Sequence, residues 1–183
     1  MDDGAPARGS YGERLPLGLH RLTGAMNALG TLWIAALMVL INADVFGRNV
    51  LAAPLRGVPE LVALSIVGIV FLQLADTLRA GRFTRADVLL DRLEQRAPRL
   101  FDGLHALYHA VGAALMMVIL WASWAPLVES VRIREYVGAV GDFQAPVWPV
   151  RLITLLGLAV TGLVFAVLAA MDLRRLRGRA ARA

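Results

Sequence analysis

Four stretches of this chain are long, apolar and nearly free of charge, and no other feature limits its fold as tightly. They cover residues 22–43, 61–75, 103–128 and 152–171. A hydrocarbon layer of about 30 Å needs roughly 20 helical residues at about 1.5 Å each. The first, third and fourth runs meet that length. The second is short and must borrow flanking residues such as Val58 and Leu78. Hydrophobic residues make up 58% of the chain, against roughly 45–50% in ordinary soluble domains. The mean hydropathy is +0.62, and the excess sits in the four runs, which points to lipid. The sequence therefore predicts an all-α membrane protein with four transmembrane helices, at about 22–46, 58–78, 103–128 and 149–171. One membrane domain accounts for nearly all of the 183 residues.

The segments between the runs are also informative. Residues 1–21 are rich in Gly, Pro and charge and read as a mobile tail. The apolar run after them is too long for a signal-peptide core, so a retained first helix is expected. Pro54, Gly57 and Pro59 punctuate the first loop. Between the second and third spans, Thr84-Arg85-Ala86-Asp87 has the form of a capping box. Ala86, Leu89, Leu90, Leu93 and Ala97 then recur at helical spacing, with Arg85, Asp91, Arg92, Glu94 and Arg96 on the other face. That pattern predicts an amphipathic interfacial helix at about 85–97 with its arginines towards anionic headgroups. Pro98 should end this helix or start the next. Residues 173–183 form a basic tail.

All 19 basic residues are Arg, which reads as codon bias in a GC-rich genome. Fourteen of them fall in the two tails and the central loop, and five on the opposite side. By the positive-inside rule both termini and the central loop are expected in the cytoplasm. Trp33, Trp121, Trp124 and Trp148 suit interfacial anchoring. The sequence pI of about 10.9 does not point to nucleic acid, because the arginines cluster at helix ends. No Cys is present, which excludes disulfides, thiol catalysis and thiolate-bound metal centres.

Several polar residues could carry chemistry, and each has a plainer reading. Asp44 and Arg48 share a helix face and form either an ion pair facing a partner or a membrane-boundary marker. Glu60 follows Pro59 at a helix start. A carboxylate there favours helix initiation through the dipole, and an ion-carrying role is the rival. Asn42 and Gln73 lie inside spans and are expected to hydrogen-bond between helices. Asp76 and Arg79 read as a structural pair. His105 and His109 raise a haem or metal question, but they stand one turn apart on one helix, so satisfied interfacial histidines are the default. Gly162, Ala166 and Ala170 repeat every fourth residue, which permits a close helix–helix contact. No phosphate loop, Ser-His-Asp set or metal motif appears, and no span is broken at its middle, as substrate-binding transporter helices often are.

From about Leu22 to Asp172 the chain resembles the small integral-membrane, DctQ-like subunit of a tripartite ATP-independent periplasmic (TRAP) transporter. The resemblance rests on Asp44-Val45-Phe46-Gly47-Arg48, on Pro54 and Gly57-Val58-Pro59-Glu60, and on Leu78-Arg79-Ala80-Gly81-Arg82 with Asp87-Val88-Leu89-Leu90. Pro146-Val147-Trp148-Pro149 and Gly157 complete it. Phe83 stands where many relatives carry a His, so any role of that His does not transfer. The resemblance implies a bacterial inner-membrane protein without cofactor or catalysis. Its implied partners are a large multi-spanning permease subunit, which holds the substrate and ion sites, and a periplasmic substrate-binding protein that delivers an organic acid. The small subunit is then a scaffold, with Asp44, Arg48, Glu60, Gln73, Trp148, Gly162 and Ala166 as interface or structural residues. The loops 49–60 and 129–150 become candidates for touching the binding protein, through Arg132, Arg134, Glu135 and the neighbouring Glu129 and Asp142. Two other readings remain open from the residues alone. One is a haem- or quinone-linked membrane anchor of an oxidoreductase. The other is a small autonomous exporter using Asp44 or Glu60.

Overall fold

The computed structural model describes residues 15–81, 98–139, 141 and 143–180. Four helices hold most of them: α1 (Leu17–Val50), α2 (Val58–Arg79), α3 (Pro98–Arg132) and α4 (Trp148–Ala180). Each is long and apolar enough to cross a membrane. Between α3 and α4 a small antiparallel hairpin pairs β1 (Tyr136–Val137) with β2 (Ala145–Pro146), Tyr136 opposite Pro146 and Val137 opposite Ala145. The expected interfacial helix at about 85–97 lies outside the described residues, as do Phe83 and Asp142.

Three helices exceed the expected spans. α1, α3 and α4 have 34, 35 and 33 residues, about 50 Å each at helical rise, so they project beyond an apolar layer of about 30 Å. α1 begins at Leu17, inside the stretch expected as a tail, and α4 continues to Ala180 through the basic residues after Asp172. Charged residues do not stop a helix; they only leave the lipid. α2 is the short one, with 22 residues. Its start is fixed locally: Gly57 takes a left-handed conformation (φ +79°), a Pro follows in the first two positions, and Glu60 lies in the first turn. Pro98 is the first described residue of α3.

The helices meet in the order α1–α2–α4–α3, with the most extensive contact between α3 and α4. α1 and α3 run one way, α2 and α4 the other. One end of the bundle, the terminal end, holds the start of α1 and the end of α4. The other, the hairpin end, holds the hairpin and the α1–α2 loop. Small residues set the spacing. A β-carbon on Gly157 would run into the backbone carbonyl of Phe71 on α2. On the α3 side, a β-carbon on Gly112 would meet the ring of Phe165, and one on Gly162 would lie 3.3 Å from Met116 Cβ. The expected stripe of Gly162, Ala166 and Ala170 is thus divided. Gly162 packs on α3, whereas Ala166 and Ala170 are exposed.

A buried cluster of Leu15, Ala75, Leu78, Val164, Phe165 and Leu168 ties the start of α1 to α2 and α4 near the terminal end. Four threonines within the spans are satisfied locally. Thr31, Thr77, Thr154 and Thr161 each donate to the carbonyl four residues earlier, so they cost little in an apolar setting. Trp33 Nε1 donates to Ser65 Oγ at 3.2 Å and pins α1 to α2 inside the bundle. The outer faces of α1 and α3 remain apolar and exposed, with Leu32, Val39, Val118 and Trp121 among them.

The close approach at Gly157 gives a stability prediction. Gly157→Val should lower stability in detergent by about 1–3 kcal/mol through overpacking, read as a lower melting temperature. Gly103→Ala meets nothing within 4 Å and should be neutral or stabilising by up to about 1 kcal/mol. Equal melting temperatures for the two variants would contradict the α2–α4 contact.

Candidate functional site: polar contacts at the two ends of the bundle

At the terminal end, α3 and α4 are joined by a buried polar contact. His109 has no exposed surface, and its Nδ1 lies 2.8 Å from Asp172 Oδ2. The ring sits against Tyr108 (centroids 5.3 Å apart) and Phe165 (6.1 Å). One turn earlier, His105 stacks between Phe101 and His109, with centroid separations of 4.5 and 5.9 Å. The ligand-capable atoms of His105, His109 and Asp172 all lie within 4.8 Å of one another. His105 and His109 stand one turn apart on the same helix, α3, rather than on two helices that could hold a haem between them. On α2 at the same end, Arg79 Nε donates to Asp76 Oδ1 at 2.8 Å, the expected structural pair.

Within the membrane span, Gln73 reaches from α2 to Thr31 Oγ1 of α1 at 3.4 Å, a long but interhelical contact. Asn42 does not do what was expected of it. It donates to Met38 O on its own helix at 2.7 Å and faces outwards. With Met38, Phe46 and Asn49 it lines a shallow groove walled by α1 alone. A second groove near Ala170 and Arg174 is bounded by Leu15, Pro16, Val167 and Met171. Neither groove encloses a polar solute.

At the hairpin end the two loops are tied to the helices. Asp44 is buried and accepts from Arg48 Nη2 and from the Leu55 backbone N–H, both at 2.9 Å. Its carboxylate therefore folds the α1–α2 loop back on α1, a role beyond the two readings that the sequence offers. Gly57 faces the ring of Phe143, so this loop also touches the hairpin. Arg151, in the first turn of α4, donates to the carbonyl of Pro126 and to Glu135 Oε1, the latter at 2.9 Å. Pro126 stands inside α3, so Arg151 ties the first turn of α4 to the last two turns of α3. Val147 N–H donates to Glu135 O, which closes the hairpin base.

The proposed contact residues separate accordingly. Arg132 and Arg134 are exposed, Arg132 pairing with Glu129 and Arg134 held at φ +51° in the turn after α3. Glu135 is half-buried and committed to Arg151. Trp148 is partly exposed at the start of α4, and Glu60 stands in the first turn of α2. Sequence reasoning missed Asp172 as the partner of His109 and Arg151 as the link between α3, hairpin and α4. The available signal for Asp172 was a lone acid between an apolar run and a block of arginines.

These features define a multi-pass α-helical membrane protein whose polar groups are spent on holding helices and loops together. Residues 37–177 match the family described as tripartite ATP-independent periplasmic transporters, DctQ component. The chain belongs to that family and is the small membrane subunit of a TRAP transporter. No curated protein and no solved structure matches the chain.

The hairpin-end geometry separates two neighbouring residues that look equivalent in sequence. Asp44→Ala removes the acceptor for a backbone N–H in the loop and should cost about 1–3 kcal/mol. Arg48, more than half exposed, should cost at most about 1 kcal/mol when changed to Ala. Thermal unfolding of both variants in detergent checks this; a larger loss for Arg48→Ala would overturn the role given to Asp44.

Proposed function

We propose that this chain acts as a fixed scaffold for the large permease subunit of an ion-coupled TRAP transporter for organic acids. It sits in the bacterial inner membrane with both termini in the cytoplasm and its hairpin in the periplasm. The observation that carries the reading is the use of the charged groups at the hairpin end. Asp44 is occupied by Arg48 and a loop N–H, and Glu135 by Arg151. A proton or ion carrier needs a carboxylate that changes partners in mid-span; Asp44 is tied to the loop and Glu60 stands in the first turn of α2, so neither acid open to that role is placed for it. The outer faces of α1 and α3 instead offer long apolar surfaces, the kind that membrane helices use for packing on other helices.

The exposed pair Arg132 and Arg134 suits a transient, salt-sensitive contact with an acidic patch on a periplasmic substrate-binding protein. Charge reversal at both positions (Arg132→Glu with Arg134→Glu) should reduce solute uptake severalfold in cells while leaving assembly with the permease unchanged. Undiminished uptake by the double variant would remove this role.

Orientation can be read directly because the chain has no cysteine. Ala139→Cys, on the hairpin, should react with a membrane-impermeant maleimide in spheroplasts. Ala183→Cys should react only after permeabilisation. The reverse pattern would invert the topology.

A further inference from the structure

The terminal corner between α3 and α4 holds more ligand chemistry than a helix clasp requires. One hydrogen bond between His109 and Asp172 is enough to join the helices. Yet a second imidazole, His105, stands one turn away on the same face, with all three ligand-capable atoms within 4.8 Å of each other. We infer that His105, His109 and Asp172 form a binding site for a divalent transition-metal ion, zinc foremost. This inference does not depend on the scaffold role.

Two observations support it. First, the donor set is two imidazole nitrogens and one carboxylate oxygen, the hard-to-borderline combination that zinc takes in tetrahedral sites. Two histidines four residues apart present their rings on one side of a helix, a spacing that recurs where a helix contributes two ligands to zinc. Second, the site is built from two helices that the bundle already holds in place. His109 is fully buried, Asp172 is 8% exposed, and Gly112 lets Phe165 pack close beside them. In a tetrahedral site with bonds of about 2.0–2.2 Å, donor atoms stand about 3.3–3.6 Å apart. Binding there would replace the 2.8 Å hydrogen bond between His109 and Asp172 with two bonds to the ion and release its proton. The ion would clasp α3 to α4 and leave a fourth position for water.

The test uses the full chain, purified in detergent without a histidine tag and stripped of metal by chelation. Titration with Co(II) should give visible d–d absorption that saturates at one equivalent, and Zn(II) should displace it. Zinc should also raise the melting temperature by several degrees, since a ligand of the folded state stabilises it. His105→Ala should abolish the cobalt spectrum and the zinc-dependent shift. Its metal-free melting temperature serves as the reference, so that loss of the ring contacts with Phe101 and His109 is separated from loss of the zinc-dependent shift. His20→Ala, which alters the one remaining histidine, should bind as the unaltered chain does. A wild-type chain that takes up no more cobalt than His105→Ala would overturn the site. So would binding that survives His105→Ala combined with Asp172→Asn, or binding that His20→Ala removes.

Discussion

Inside a lipid layer the hydrophobic effect does not drive helices together, since lipid tails are as apolar as the side chains. Association then rests on how closely backbones approach and on which polar groups find partners across the gap. In this protein both conditions converge on α4. Gly157 brings its backbone against Phe71 of α2, Gly162 fits beside Met116 of α3, and Gly112 receives Phe165. Asp172 and Arg151 then reach α3 from opposite ends of the same helix. α1 is held at second hand, by its Trp33 donating to Ser65 of α2 and its Thr31 accepting from Gln73 of α2.

The buried acids are anchored: Asp44 to a loop, Asp76 to Arg79, Asp172 to His109. The hairpin is locked to the α1–α2 loop through Phe143 and Gly57, and to α3 and α4 through Arg151. The exposed apolar faces of α1 and α3 are the surfaces that the proposed scaffold role would use. Membership in the DctQ component family supplies the setting for that role.

Much of the architecture was legible in the sequence. Apolar runs of sufficient length between charged segments locate all four helices, and the Gly57–Glu60 stretch marks the start of α2. Helix ends were less legible, because hydropathy reports where lipid ends and a helix continues past it, as α4 does through Arg174 and Arg177. Contacts between distant segments were the least legible. Nothing in the local pattern couples His109 to Asp172 or Gly57 to Phe143, since both pairings depend on how the helices are brought together. Asn42 shows the opposite error. A polar residue in a span suggests an interhelical bond, but its amide is satisfied by Met38 on its own helix. Glu135 was read as a surface charge and is tied to Arg151.

The central claim is that this subunit holds a partner rather than moving solute by itself. The most direct measurement is affinity purification of the tagged chain from native membranes in mild detergent, followed by mass spectrometry. The scaffold account predicts a multi-spanning permease recovered in stoichiometric amount. An intact chain that purifies alone, or together with a haem protein or dehydrogenase, would contradict it.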